Sequence, residues 1–337
     1  MVEEATERKK ILLIESISIS VFYLILLLRN MEVRKVTKGM ITIATGDKHY
    51  YEIAANLLLS YREFAKNPLP FAIIAEEENE YTDLFDDVVI TTEAKRSFTD
   101  KFLLLKLCPY DETIFFDADC LAYGDLNEYW DFFKDATDFS ALGENYDLSD
   151  NNGAWYNIDG IGEYGQMINY KTRVHAGVMF IRKTPKLDKM YDDCMSLFSD
   201  FDNLTFHTCP NSVDECILGV AMPMNEMKCK VEINRMIAAY PCLTQLKANI
   251  SKGVLAYATP WHGYIEDGIL LHWGTKQTYK PLYLFEVECL NHINDDSFIC
   301  VLKYKFKLRY VFFKIAYIPT AVKTLYKRIS KKIGIKE

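Results

Sequence analysis

The sequence predicts an α/β fold with a mostly parallel central sheet flanked by helices. Three observations predict it. Apolar, β-branched runs alternate with segments of helical spacing in β-α-β-β-α-β order over residues 40–119. One of those runs, 113–116, closes on two carboxylates, Asp117 and Asp119. The chain has 337 residues, half of them hydrophobic, which is enough for a sizeable core.

The elements follow in order. Residues 40–47 read as a first strand and its exit, with Gly46-Asp47 as the turn signal. Over 50–64, apolar residues fall at 53, 54, 57, 58, 61 and 64, which is helical spacing. A second strand is expected at 71–75 after Pro70, and a third at 84–90. A helix is expected over 97–107, with Lys101 and Lys106 set among Phe and Leu. Two readings of Lys101 stay open there: a lysine that snorkels to water, or a functional cation. The run 113–116 is too short for a helix and reads as a buried strand, so its aspartates stand at the C-terminal end, where open α/β sheets bind ligands.

Alternate residues of an extended chain point to the same side, so Asp117 and Asp119 can face one target. Two hard carboxylates suit Mg²⁺ or Mn²⁺, and such a cation suits a diphosphate. The bare D-x-D is a weak motif in a chain this rich in Asp. Asp200 and Asp202 form a second copy, read as a solvated helix end or loop; only the first copy closes an apolar strand. Beyond it, 127–133 reads as a short aromatic helix, 139–143 and 174–181 as strands, and 187–198 and 212–220 as helices. Residues 151–165 are rich in Gly, Asn, Asp and Tyr and are expected to form a long loop of the kind that serves as a lid. His262 has no partner argument and is read as structural.

No G-x-G-x-x-G and no G-x-x-x-x-G-K-S/T occurs, so nucleotide phosphates would be held by metal and lysines. The formal charge of −8 is unevenly spread: residues 1–39 carry +2, 297–337 carry +10, and the body between them is near −20. An acidic body argues against a nucleic-acid binder. The basic tail, with aromatic and aliphatic residues at helical spacing, reads as an interfacial helix on an anionic membrane surface. Nine scattered cysteines without a C-x-x-C pair indicate reduced thiols and a cytoplasmic protein or one on the cytoplasmic face of a membrane. The apolar segment 11–28 leaves three readings open: a marginal membrane anchor, an amphipathic helix, or an extension outside the folded unit. The division expected is thus an N-terminal extension (1–39), a catalytic domain (40–296) and a basic tail (297–337).

With these residues in hand, the chain resembles GT-A fold glycosyltransferases, and most of all the family 8 retaining transferases, which include glycogenin and galactosyltransferases. The resemblance covers about residues 40–284 and rests on five matches in order. They are the strand ending in Thr45 with Lys101 after it, Phe115-Phe-Asp-Ala-Asp119, His175-Ala-Gly-Val, Ser212-Val-Asp-Glu-Cys216, and Leu271-His-Trp-Gly274 with Lys280-Pro281. It implies that Asp117, Asp119 and His272 hold Mn²⁺ or Mg²⁺. It also implies that Thr45, Lys101, Asp117, Gly274 and Lys280 bind the nucleotide-sugar donor, and that Asp214, Lys101 and His175 act on the sugar. The sequence departs from the pattern in three places. His175 stands for an asparagine, Glu215 for a glutamine, and the closing motif is two residues longer, so that Lys276 or Lys280 could be the phosphate lysine. The function implied is metal-dependent transfer of a hexose from a UDP-sugar to a glycan or lipid-linked glycan, with retention. The rival is a catalytically silent, membrane-attached protein of the same fold that binds a nucleotide-sugar or glycan.

Overall fold

A computed structural model describes residues 36–150, 153–207, 213–231, 235–260, 263–299, 301–303 and 306. The apolar segment 11–28, His262 and the tail beyond residue 306 lie outside the described residues. The chain runs β1 (Lys38–Ala44), α1 (Lys48–Phe64), β2 (Phe71–Ala75), β3 (Asp87–Ile90), a 3-10 stretch Phe98–Leu103 continuing into α2 (Leu104–Leu107), and β4 (Glu112–Phe116). It continues through β5 (Cys120–Ala122), α3 (Glu128–Phe132), β6 (Phe139–Tyr146), β7 (Lys171–Arg182), α4 (Pro185–Ser199) and α5 (Val213–Met224). Four short strands follow, β8 (Ala238–Ala239), β9 (Gln245–Asn249), β10 (Val254–Ala258) and β11 (Leu270–His272), and then α6 (Pro281–Asn291).

The six main strands lie in the order β3-β2-β1-β4-β7-β6. β1 is parallel to β2 and β4, and β2 to β3, while β7 runs antiparallel to both β4 and β6. Strand alternation sorts the core into two layers. Met40, Phe71, Ile73, Ile114 and Phe116 face the side covered by α1. Ile41, Ala72, Ile74 and Phe115 face the side covered by α4 and α5. Both faces are therefore apolar, which is why these strands read as continuous hydrophobic runs. Phe115 and Phe116 are fully buried, one in each layer, and truncating either to Ala would cost about 3–5 kcal/mol.

The connection from β1 goes to β2 on one side, whereas β4 joins the sheet on the other side of β1. The C-terminal ends of β1 and β4 thus flank a topological switch point, where a ligand crevice forms. α1 starts there: Gly46 takes a left-handed φ of +88°, and the Asp47 carboxylate accepts a hydrogen bond from the His49 amide at 2.8 Å as an N-cap.

The segment 151–165 differs from the long loop expected of it. Residues 158–167 form 3-10 turns on either side of Gly162 (φ +56°), and Tyr156 and Ile161 are fully buried. The Tyr156 hydroxyl donates to the Gly219 carbonyl of α5 at 2.8 Å. The apolar side chains scattered among the polar ones pack against α5, so this part of the segment forms a wall. No helix among the described residues is long and apolar enough to cross a membrane.

Candidate metal centre

The carboxylate pair leaves β4 through a tight turn. The Asp117 amide makes the last sheet bond, to the Gly177 carbonyl at 3.0 Å, and the Cys120 amide closes the turn on the Asp117 carbonyl at 3.1 Å. Extended alternation predicts both aspartates on one side. They do converge, but through this turn, which leads into β5. β5 then pairs antiparallel with β11, with Cys120 opposite His272. The Trp273 amide donates to the Asp119 carbonyl at 3.0 Å, extending that ladder. A three-stranded sheet, β5-β11-β8, thereby carries His272 to the end of β4.

His272 Nε2 lies 3.1 Å from Asp119 Oδ1 and 3.6 Å from Asp117 Oδ2. One ligand atom from each of the three residues falls within 4.8 Å of the others. Two carboxylate oxygens and one imidazole nitrogen at these spacings fit a divalent cation. Carboxylate oxygens suit Mg²⁺ and Mn²⁺, and an imidazole nitrogen suits transition-metal cations. The Thr275 hydroxyl donates to Asp119 Oδ2 at 3.1 Å. His272 Nδ1 is buried and has no hydrogen-bond partner among the described residues.

On the other side of Asp117 stands Lys101. Its ammonium lies 2.8 Å from Asp117 Oδ1 and 3.1 Å from Asp214 Oδ2. The snorkelling alternative for Lys101 is thus set aside: the side chain points inward and is charge-paired on two sides. Lys106, on the same helical stretch, lies over the Tyr191 ring at 4.3 Å.

A bulge in β7, opposite Ala141 and Leu142 of β6, completes the arrangement. Ala141 pairs with Met179 but Leu142 with His175, so Ala176, Gly177 and Val178 have no partner on β6. The Ala176 backbone is instead taken up by side chains of the site. Its amide donates to Glu215 Oε1 at 3.1 Å and its carbonyl accepts from Lys101 at 3.3 Å. The His175 ring meets His272 edge to face, with centroids 5.8 Å apart.

Burial disfavours the Lys101 charge, but Asp117 and Asp214 outweigh it and hold the lysine's pKa above its ordinary value. Burial pushes Asp117 upward against the pull of Lys101 and His272. Burial also acts on Asp119, yet His272 prevails and holds that carboxyl below the usual range. For His272, burial lowers the pKa while Asp119 and Asp117 raise it, to about 9. The imidazole therefore carries a proton at neutral pH that a cation would displace. Burial, and then the charge of His272, bring His175 down to about 3, so it is neutral. Burial, and then the charge of Asp214, push Glu215 up to about 7.

Of the residues singled out in the sequence, Asp117, Asp119, His272, Lys101, Asp214 and His175 come together. Thr45 stands at the end of β1, but its hydroxyl donates to Asp100 at 2.8 Å. Asp100 also accepts from the amides of Lys95, Arg96 and Ser97. Gly274 turns the chain out of β11 with φ +75°. Lys280 is exposed at the start of α6, and neither it nor Lys276 forms an ion pair among the described residues. Thr275 and Asp100 were missed. Their only signals are adjacency, Thr275 to Gly274 and Asp100 to Lys101.

No protein-family profile and no curated protein sequence matches the chain. Solved glycosyltransferases are similar to it in structure. Mouse xyloside xylosyltransferase 1 shares 12% identity over 72% of this chain and 99% of its own, with a TM-score of 0.42. The galactosyltransferase LgtC, solved with donor and acceptor sugar analogs, shares 16% over 59% of this chain and 75% of its own, with a TM-score of 0.37. The bifunctional glycosyltransferase WbbM shares 12% over 62% of this chain, with a TM-score of 0.39, and the match spans 40% of WbbM's length.

Proposed function

We propose that the chain is a metal-dependent glycosyltransferase of the GT-A type, moving a hexose from a UDP-sugar to a glycan or lipid-linked glycan with retention. One observation carries the reading: Asp117, Asp119 and His272 converge at the C-terminal edge of the sheet, beside its switch point, with Lys101 and Asp214 adjoining. A cation bound by the three would act as a Lewis acid on the donor's diphosphate, neutralising the charge that builds as the sugar bond breaks.

The chain's own residues have distinct parts. Asp119 and His272 hold the cation, and Asp117 joins them while staying anchored to Lys101. Lys101 places Asp117 and Asp214 and keeps the acidic pocket from repelling a diphosphate. Asp214 has one oxygen on Lys101, while Oδ1 is buried without a partner among the described residues. That oxygen is proposed to face the positive charge developing on the sugar. His175, neutral, offers a hydrogen-bonding edge to the sugar in place of an amide. Thr45 and Gly274 border the nucleotide, and Lys280 reaches its phosphates. The basic tail 297–337 holds the enzyme at the cytoplasmic face of a membrane.

The test is release of UDP from a panel of UDP-sugars with Mn²⁺ or with EDTA, for the wild type and Asp119→Ala. Metal-dependent release from one sugar, lost in the variant, is the expected result. Metal-dependent UDP binding with no turnover of any donor, even with glycan acceptors supplied, contradicts it and selects the binding-only protein.

A further inference from the structure

The two oxygens of Asp119 have different partners. Oδ1 faces His272 Nε2 at 3.1 Å, and Oδ2 accepts from the Thr275 hydroxyl at 3.1 Å. Thr275 opens a 3-10 turn, Thr275–Gln277, that follows the left-handed Gly274. That turn is closed by its own hydrogen bonds and held by one contact from α1. The Gln277 amide donates to the Gly274 carbonyl at 2.8 Å, and the Thr278 hydroxyl donates to the Thr275 carbonyl at 2.6 Å. With its proton so used, Thr278 Oγ1 accepts from His49 Nε2 at 2.6 Å. The His49 ring is itself stacked on Tyr279, centroids 3.9 Å apart. A continuous set of contacts thus runs from the first turn of α1, through Thr278 and Thr275, to the Asp119 carboxylate.

We propose that Thr275 is a positioning residue for the cation. A hydroxyl donor on Oδ2 fixes the plane of the carboxylate and leaves Oδ1, on the His272 side, for the metal. It does so without adding a positive charge that would compete with the cation, as a lysine or arginine would. Partners of this kind, one step out from a metal ligand, typically change affinity by about 10- to 100-fold when removed. Thr275 tunes the metal centre through Asp119, and the His49–Thr278 brace determines how firmly it does so. The proposal rests on the reading of Asp117, Asp119 and His272 as metal ligands.

The experiment is Mn²⁺ titration of the full chain followed by electron paramagnetic resonance, on wild type, Thr275→Val, Thr275→Ser, Thr278→Val and Asp119→Ala. Thermal unfolding of each metal-free protein accompanies it. Val matches the shape of Thr without the hydroxyl, so Thr275→Val is expected to bind Mn²⁺ about 10-fold more weakly at an unchanged metal-free melting temperature. Thr275→Ser keeps the donor and is expected within about 3-fold of the wild type, with Thr278→Val between the two. A Thr275→Val protein that binds as tightly as the wild type overturns the proposal, and so does a Thr275→Ser protein as weak as Thr275→Val. A wild type that binds no more tightly than Asp119→Ala fails the metal reading itself, which is a separate outcome.

Discussion

Asp117 and Asp119 are two residues apart and meet opposite surroundings. Asp119 faces an imidazole and a hydroxyl, groups that can yield a proton or keep a neutral bond when a cation arrives. Asp117 faces an ammonium, and that ammonium is shared with Asp214. One half of the pocket therefore has its charge available, and the other half has its charge partly offset internally by one ammonium shared between two carboxylates. The difference teaches that the two carboxylates of a D-x-D are not interchangeable. The half built by the small β5-β11 sheet is arranged for a cation, and the half built by the β7 bulge and α5 is arranged to hold still.

Removing Lys101 should break the comparison most violently. Lys101→Met leaves two buried carboxylates without their counter-charge, at an expected cost of about 3–5 kcal/mol in urea unfolding. Adding Asp214→Asn should recover part of that loss, because it removes one of the stranded charges; a double variant no more stable than the single would show that the pair is not coupled.

The next effect is a pH dependence. Glu215 has a pKa of about 7 in the folded protein, above the ordinary carboxyl value. The folded state therefore binds its proton more tightly than the unfolded state. The stability this gives is complete at pH below the ordinary value and is lost as pH rises toward 7. The loss is on the order of 3 kcal/mol when the titration is complete. Glu215→Gln should flatten that part of the stability profile between pH 4.5 and 8; an unchanged slope would place the titration elsewhere.

The smallest expected effect lies at the rim. Thr45→Val removes one donor from the Asp100 carboxylate, which keeps three backbone donors. A loss of about 1.5 kcal/mol is expected by chemical denaturation, with Mn²⁺ affinity unchanged. A fall in Mn²⁺ affinity would extend the cation half beyond Asp119 and His272.

Much of the fold was legible because apolar strands that are buried on both faces leave continuous runs. β2 was read at its observed bounds, and β1, β4, β7 and α1 within a few residues of theirs. The carboxylate pair was legible because charge at the end of such a run has few other places to go. What was not legible depends on contacts distant in sequence. That Lys101 points inward is decided by α5, which brings Asp214 to it. That Ala176 bonds Glu215 is decided by a bulge on β7, which depends on the register against β6 and leaves no local composition signal. Thr275 could not be found from spacing, since its role comes from the turn after Gly274 and the brace from His49. The wall at 158–167 was hidden because its apolar residues are diluted by Gly, Asn and Asp.

The most direct test of the account is equilibrium binding of Mn²⁺ at pH 8 to the wild type, Asp119→Asn and Asp117→Asn. The account predicts metal binding by the wild type, a loss of about 100-fold or more for Asp119→Asn, and a clearly smaller loss, about 10-fold, for Asp117→Asn. Equal losses, or a wild type that binds no better than either variant, would contradict the division of the pocket into a cation half and a fixed half.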